Sequence, residues 1–290
     1  MTQIAMLLRP LRAARVYALS LIAYVGMSVS GVAETQLVFG TYAADKPTET
    51  VRQFKPFLSF LERELAVMLD EPVTIKMKIS KEYSDSIDQL ASGAVDFARF
   101  GPASYVTVKI KNQDTQIIAI ESKGGKKRFK GVIAVHIDSP LTSLADLSNL
   151  RFAFGDELST IGRYLAQSEL LEAGISGQDL SQFEYLGRHD LVGTAVGNGS
   201  FDAGALKEST FKKLVKEGVP IRALVKFDNV TKPWIASSQM SPQILNAMQA
   251  IMLDPKNLDE MKSIAKNGFL AGSDADYDLI RKAMARSENF

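Results

Sequence analysis

The sequence predicts an α/β protein of two lobes, each a mixed, mostly parallel sheet flanked by helices, with a ligand cleft between them. Segments rich in β-branched and aromatic residues alternate with segments of helical periodicity along most of the chain. Two passages, 87–104 and 192–209, share one pattern: a helix ending at a glycine, an aspartate, a short apolar strand and a turn of small residues. Alternating strands and helices are typical of parallel sheets, so the repeated pattern predicts one sheet in each half.

The first half alternates regularly between strands and helices. A helix at about 51–69 carries its apolar residues at spacings of three and four. A second helix ends near Gly93, and Gly101 and Pro102 open a third. The predicted strands of this half are QLVFGTY, PVTIKMKI, the short segment before Gly101, QIIAIE and GVIAVHI.

The second half repeats this order. RFAFGDE and FEYLG are strands on either side of a helix at 159–175, and Pro233 with Trp234 indicates an extended crossing between lobes. We therefore expect residues 34–130 to form the first part of lobe 1, 131–228 to form lobe 2, and 229–290 to cross and return to lobe 1. Ligands of open α/β sheets bind outside the carboxyl ends of the strands, so two such facing edges predict a cleft.

The amino-terminal stretch 1–33 has the features of a secretory signal peptide. Three arginines precede the apolar run at 16–25, and Gly31 and Ala33 stand at positions −3 and −1 of a cleavage site. The run is too short and too soon followed by glycine and serine for a retained transmembrane helix. We expect cleavage after about Ala33 and a periplasmic mature protein.

Composition excludes several functional classes. Loss of the three arginines leaves a nearly neutral chain, which lacks the electrostatic footprint of a nucleic-acid-binding protein. The chain has no cysteine and two histidines, so neither a thiolate site nor a transition-metal site is expected. The sequence lacks a nucleophile elbow, a zinc-protease motif, a P-loop and a dinucleotide fingerprint. We therefore expect neither enzymatic activity nor a cofactor.

Ser159 and Thr160 stand at the start of a predicted helix and allow two interpretations. One hydroxyl could be an N-cap, accepting a hydrogen bond from a backbone N–H at the helix start. Alternatively, the hydroxyls, the N–H groups and the positive end of the helix dipole could bind an anion. The helix start alone does not decide between them.

The motifs VFGTY, SGAVDFARFGPASYV, GDELSTIGRYL and RHDLVGTAVGNGSFDAGA, followed by the Pro-Trp crossing, resemble the periplasmic phosphonate-, phosphate- and phosphite-binding proteins of ABC transporters, the PhnD-like family. The resemblance covers nearly the whole mature chain. It implies the type II periplasmic-binding-protein fold and favours the anion interpretation. The cleft residues that it implies are Tyr42, Ser104 or Tyr105, Ser159, Thr160, His189 and Asp202.

A tetrahedral oxyanion needs donors from several directions, and hydroxyls, helix-terminal N–H groups and an imidazole supply them. Asp202 is the exception among these residues, because a carboxylate repels an oxyanion unless the ligand carries a proton or an amine. The structural interpretation of Asp202 is an aspartate that supports the start of a strand, as Asp96 could do in the first repeat.

Three positions depart from the family pattern and put the ligand in doubt. Ile161 replaces the second serine of the Ser-Thr-Ser helix start, and Leu206 stands where some receptors of the family have a tyrosine. Arg99 could either reach the cleft or pair with a carboxylate. Glu208 is a further candidate for the cleft.

The resemblance thus implies a periplasmic receptor that binds a small oxyanion and delivers it to an ABC permease in the inner membrane. An alternative with the same binding event is a sensor that presents its closed form to a membrane histidine kinase. In either case we expect a monomer whose lobes close around the ligand.

Overall fold

The computed structural model describes residues 34–43 and 47–290. The predicted signal peptide and its cleavage position lie outside these residues. The strands are β1 (Thr35–Tyr42), β2 (Val73–Ser80), β3 (Phe97–Arg99), β4 (Gln116–Glu121), β5 (Arg128–His136), β6 (Arg151–Phe154), β7 (Gln182–Tyr185), β8 (Ala203–Lys207), β9 (Ile221–Val230), β10 (Pro233–Ala236) and β11 (Phe269–Leu270). The α-helices are α1 (Pro47–Leu69), α2 (Tyr83–Ser92), α3 (Pro102–Lys111), α4 (Ala166–Glu172), α5 (His189–Gly197), α6 (Glu208–Lys216), α7 (Pro242–Leu253), α8 (Leu258–Met261) and α9 (Asp278–Ser287). A π-helical segment, Thr160–Leu165, leads directly into α4.

The strands form two mixed sheets, which confirms the predicted fold class. The first sheet has the order β2-β1-β3-β10-β4-β11, and the second has the order β7-β6-β8-β5-β9. In each sheet the first three strands are parallel and are connected by helices. The next strand, β10 or β5, is antiparallel to them and arrives from the other sheet. Each sheet therefore takes one strand from a segment that crosses between the two.

Trp234 fixes the returning crossing strand in the centre of the first sheet. Its side chain is fully buried and stacks on Phe39 with ring centroids 5.1 Å apart. The ring of Phe57 from α1 meets it edge-on at 5.0 Å. Aromatic side chains bury the largest apolar areas, so this cluster anchors the sheet to the helix that covers it.

The carboxyl-terminal segment contacts elements that follow strands of both sheets. The ring of Tyr277 packs on Tyr105 of α3 at 4.7 Å, and α9 lies against the π-helical segment and α4. The last residue, Phe290, meets Phe154 at the end of β6 edge-on at 5.5 Å. Among the helices of the described residues, none is long and apolar enough to cross a membrane.

Candidate functional site

A cavity lies where the parallel strands of both sheets end and the following helices begin. Its walls are Tyr42, Tyr83, Gly101, Pro102, Phe129, Ser159, Thr160, Ile161, His189, Lys207, Asn229 and Lys232. Its volume is about 30 Å³. A single water needs about 10–15 Å³ on this measure, so the space suits a ligand of few non-hydrogen atoms. A larger cavity of about 280 Å³ shares Phe129, Lys207 and Lys232 with it.

Tyr42 at the end of β1 orders the edge of the cavity that belongs to the first sheet. Its phenol oxygen accepts a hydrogen bond from the N–H of Gly101 at 2.7 Å and lies 2.9 Å from the hydroxyl of Ser104. Its ring stacks on Tyr83, with centroids 3.5 Å apart. Burial raises the pKa of Tyr42 to about 12, against the opposing effect of these hydrogen bonds. The phenol therefore stays protonated at physiological pH.

Ser159 and Thr160 have separate tasks, although both are buried. The hydroxyl of Ser159 accepts from the N–H of Gly162 at 3.0 Å and is thus the N-cap of the π-helical segment. The hydroxyl of Thr160 instead accepts from the N–H of Ala103, in the first turn of α3, at 2.8 Å. The starts of two helices, one following a strand of each sheet, therefore face each other at the cavity.

Two glycines allow this helix start to lie close to the end of β6. The N–H of Gly155 donates to the carbonyl of Gly162 at 2.8 Å. A side chain on Gly162 would place its Cβ 2.7 Å from the Cα of Gly155, closer than real Cβ contacts. The backbone approach that presents Ser159 and Thr160 to the cavity thus requires glycine at this point.

Lys207 and Lys232 bring positive charge to the cavity wall, and His189 lies in the same wall. His189 is the first residue of α5, Lys207 is the last residue of β8, and Lys232 lies in the crossing between β9 and β10. Among the described residues that form the walls, there is no aspartate or glutamate. A site of this kind attracts an anion.

Apart from Gly101 and Pro102, which the sequence predicted only as a helix start, five wall residues were not predicted, namely Tyr83, Phe129, Lys207, Asn229 and Lys232. The repeated passages contained a signal for one of them, since their alignment sets Lys207 against Gly101, the turn residue of the first repeat. Phe129 and Asn229 are directly paired on the antiparallel strands β5 and β9. Their place at the cavity depends on how the two sheets meet, which no local pattern encodes.

Asp202 does not line the cavity, contrary to the role that the resemblance implied. Its carboxylate accepts from the N–H of Arg151 at 2.8 Å and pairs with the guanidinium of Arg151. Hydrogen bonds from Arg151 lower the pKa of this carboxyl, although partial burial opposes the shift. Asp96 makes the matching contact in the first sheet, accepting from the N–H of Val38 at 2.6 Å. Both aspartates lie at the starts of strands, at the opposite end from the cavity, which agrees with the structural interpretation.

Tyr105 and Leu206 also point away from the cavity. The hydroxyl of Tyr105 donates to Asp274 at 2.7 Å, beside Tyr277. Leu206 is fully buried in the core of the second sheet, where β8 pairs it with Val132. Ser104, the other candidate in this turn, reaches the cavity only through its contact with Tyr42.

The two charged candidates are held by ion pairs. Arg99 binds Glu121 through Nε and Nη2, at 2.7 and 3.0 Å, and both side chains are largely buried. It therefore pairs with a carboxylate, one of the two alternatives derived from the sequence. Glu208 pairs with Lys212 and Lys226; burial acts to raise its pKa, and these lysines outweigh that effect and lower it. Of the three substituted or charged candidates Arg99, Ile161 and Glu208, Ile161 is the one that lines the cavity.

The part of the chain that the structure describes contains no cluster of three histidine, cysteine or acidic side chains that could hold a metal ion. The chemistry that this cavity offers is hydrogen-bond donation and positive charge. These are the properties that bind an oxyanion without any metal.

The chain is similar to several known proteins in sequence and in structure. The chain is 29% identical over 169 residues to a probable ABC transporter phosphite binding protein, PhnD1, from Prochlorococcus marinus, and the match spans 54% of each protein. It is 22% identical over 286 residues to the phosphate-import protein PhnD from Mycolicibacterium smegmatis, covering 88% of this chain and 86% of that protein. The structure of PhnD1 from Prochlorococcus marinus in complex with methylphosphonate has a TM-score of 0.76 at 22% identity, covering 88% of this chain and 99% of that one, and this likeness shows the fold.

The family model for the periplasmic phosphonate substrate-binding proteins of ABC transporters matches residues 39–277. The match begins within β1 and ends just before α9, so it includes both sheets and every wall of the cavity. Proteins of this family are receptors for a transported substrate rather than enzymes, as the absence of catalytic motifs suggested. The chain belongs to the periplasmic phosphonate substrate-binding proteins of ABC transporters.

Proposed function

We propose that this protein is the receptor of an ABC importer for a small oxyanion of the phosphonate, phosphite or phosphate type. The observation that carries the proposal is the meeting of two helix starts at a small cavity, where the hydroxyl of Thr160 accepts from the N–H of Ala103. Backbone N–H groups at helix starts lack acceptors within the helix and carry partial positive charge, so they bind anions.

The proposed ligand contacts come from both sheets. Tyr42 and the start of α3 would bind the ligand from one side, and Thr160 and His189 from the other. Ser159 would act by fixing the helix start, since its hydroxyl caps the N–H of Gly162. Ile161 forms an apolar part of the wall in place of a further donor.

Lys207 and Lys232 favour a ligand with at least one full negative charge. The names of the relatives agree with such a ligand, because they specify phosphite binding, phosphate import and a complex with methylphosphonate. Membership of the family and the donors at the cavity both support such a ligand for this chain.

We further propose that the ligand draws the two lobes together. The lobes would comprise residues 34–130 with the returning segment 229–290, and residues 131–228. The hydroxyl of Thr160 accepts from the N–H of Ala103 at the start of α3. A ligand oxygen bound between the lobes would accept from this N–H in place of Thr160. An inner-membrane ABC permease would then recognise the closed monomer after export to the periplasm and cleavage after about Ala33.

A thermal-shift screen of the protein purified from the periplasm tests this function. The screen compares phosphate, phosphite and methylphosphonate with sulfate, methanesulfonate and acetate. A ligand at 100 times its dissociation constant stabilises the folded state by about 2.7 kcal/mol, so a true ligand raises Tm measurably. A response to phosphorus oxyanions supports the proposal. A response to none of them, with controls showing a cooperative folded protein, would refute it.

A further inference from the structure

We propose that Asn229 determines specificity by hydrogen-bonding both an oxygen and a hydroxyl of the bound oxyanion. The site would then prefer a protonated phosphorus oxyanion to a sulfonate of the same shape and charge. This inference rests on the proposed function and adds a residue that neither the sequence motifs nor the family resemblance indicated.

Asn229 lines the cavity with a buried side-chain amide that has no hydrogen-bond partner among the described residues. Its exposed fraction is 1%. Within the described part of the chain, neither its Nδ2 nor its Oδ1 has a hydrogen-bond partner. It lies on β9 directly opposite Phe129 on β5, and both residues form the cavity wall. The amide is thus held in place by the sheet at the site where the ligand would bind.

A buried amide without partners destabilises a protein, because it has lost its hydrogen bonds to water. Such groups are uncommon in native structures and point to a role that the folded protein alone does not fulfil. Whichever way the amide is oriented, it offers one acceptor and two donor hydrogens. A ligand that satisfies it must bring an acceptor oxygen and a hydrogen to donate.

The acceptor atom of Asn229, Oδ1, is the part of the amide that can distinguish one anion from another. The hydroxyls of Ser159 and Thr160 each already accept from a backbone N–H, which leaves their hydrogens available to donate. Lysine side chains and helix N–H groups only donate. Most polar groups of the wall therefore donate hydrogen bonds to the ligand. The Oδ1 atom of Asn229 differs from them, because an amide oxygen can only accept.

This chemistry distinguishes two closely matched anions. The monoanion of methylphosphonate carries a P–OH group, whereas methanesulfonate has the same charge and shape without that hydrogen. In the methylphosphonate complex the P–OH donates to Oδ1 and a P–O oxygen accepts from Nδ2. In the methanesulfonate complex Oδ1 remains buried without a hydrogen bond, which weakens binding.

Calorimetric titration with these two anions, at a pH where methylphosphonate is a monoanion, tests the inference. For the wild-type protein, Kd for methanesulfonate should exceed Kd for methylphosphonate by roughly 10- to 100-fold, the effect of one unsatisfied buried acceptor. In Asn229→Leu, methylphosphonate should bind more weakly and the ratio should fall towards one. Asn229→Asp keeps the acceptor, so it should keep the preference for the protonated anion.

Thermal unfolding without ligand supplies a readout that a structural role would not give. Asn229→Leu removes an unsatisfied amide, so Tm should rise by at least roughly 2–4 °C. The control is Asn112→Leu, since the Asn112 amide donates to Ala91 O and Ser238 Oγ away from the cavity. That variant should lower Tm and leave both Kd values unchanged.

Two results would overturn the inference while leaving the proposed function intact. The first is a wild-type protein that binds methylphosphonate and methanesulfonate equally well. The second is an Asn229→Leu variant that keeps the wild-type ratio of Kd values, or that loses Tm as the Asn112→Leu control does. If the wild-type protein binds neither these anions nor phosphate or phosphite, the proposed function itself fails.

Discussion

At the scale of single residues, Ser159 and Thr160 show how two adjacent hydroxyls are used differently. The sequence left open whether this pair caps a helix or binds an anion. In the structure Ser159 is the N-cap, because its hydroxyl accepts from the N–H of Gly162 in the same segment. Thr160 instead connects the two helix starts, because its hydroxyl accepts from the N–H of Ala103. The cap interpretation thus applies to Ser159, and the anion interpretation stays a prediction for Thr160.

This division predicts different effects for two single substitutions. Ser159→Ala should lower the free energy of unfolding by about 1 kcal/mol, the usual value of an N-cap, and change Kd little. Thr160→Val should weaken oxyanion binding by about tenfold or more, because it removes a charge-assisted hydrogen bond to the ligand. Calorimetry and urea unfolding measure the two quantities. Wild-type affinity in Thr160→Val would exclude its hydroxyl from the ligand site.

At the scale of the elements, the two repeated passages form equivalent parts of the two sheets. Each aspartate binds a residue of the neighbouring parallel strand twice, donating its backbone N–H to the carbonyl of that residue and accepting from its N–H with the carboxylate. Asp96 binds Val38 of β1 in this way, and Asp202 binds Arg151 of β6. The repeat could be identified in the sequence because these contacts are local to a strand-helix-strand unit. A contact between neighbouring strands already engages the carboxylate of Asp202, which favours the structural interpretation of this residue.

Replacing Asp202 should therefore change stability and leave ligand binding intact. Asp202→Ala should lower the free energy of unfolding at pH 7 by about 1–2 kcal/mol, discounted because the ion pair is partly exposed. Its pKa is lowered in the folded state, so the contribution is present above the unfolded value of about 3.9 and is lost as pH falls through the folded value. The difference from wild type should thus be constant from pH 5 to 8 and shrink in acid.

Urea unfolding of the wild-type and Asp202→Ala proteins across this pH range provides the measurement. Asp96→Ala is the matched variant in the first sheet and should also keep the wild-type Kd. A large loss of oxyanion affinity in Asp202→Ala, with no comparable loss in Asp96→Ala, would restore Asp202 to the binding site.

At the scale of the whole molecule, the proposed binding site lies where the two sheets meet. The local patterns predicted the alternation of strands and helices and the presence of two sheets. The family resemblance implied the wall residues Tyr42, Ser159, Thr160 and His189 and singled out Ile161 as a departure from its motif. The local patterns could not predict Lys232 or Asn229, which come from the crossing segments. Those side chains reach the cavity through antiparallel pairing between distant parts of the chain, and no helical or alternating period records that pairing.

The charges that meet at this site predict discrimination against amino-substituted ligands. An ammonium group would enter a cavity with Lys207 and Lys232 in its wall and no carboxylate among the described wall residues. 2-Aminoethylphosphonate should thus bind about tenfold or more weakly than ethylphosphonate, because like charges at short range repel. Competition calorimetry measures Kd for both phosphonates, and Lys232→Met should bring the two Kd values closer together. Equal affinities in the wild-type protein would contradict this prediction.

The most direct test of the central claim is a crystal structure of the protein with the best-binding phosphorus oxyanion from the thermal-shift screen. We expect one anion between the start of α3 and the π-helical segment, within hydrogen-bond distance of Thr160 and Asn229. An anion bound only elsewhere, with neither of these two side chains in contact with it, would contradict this expectation.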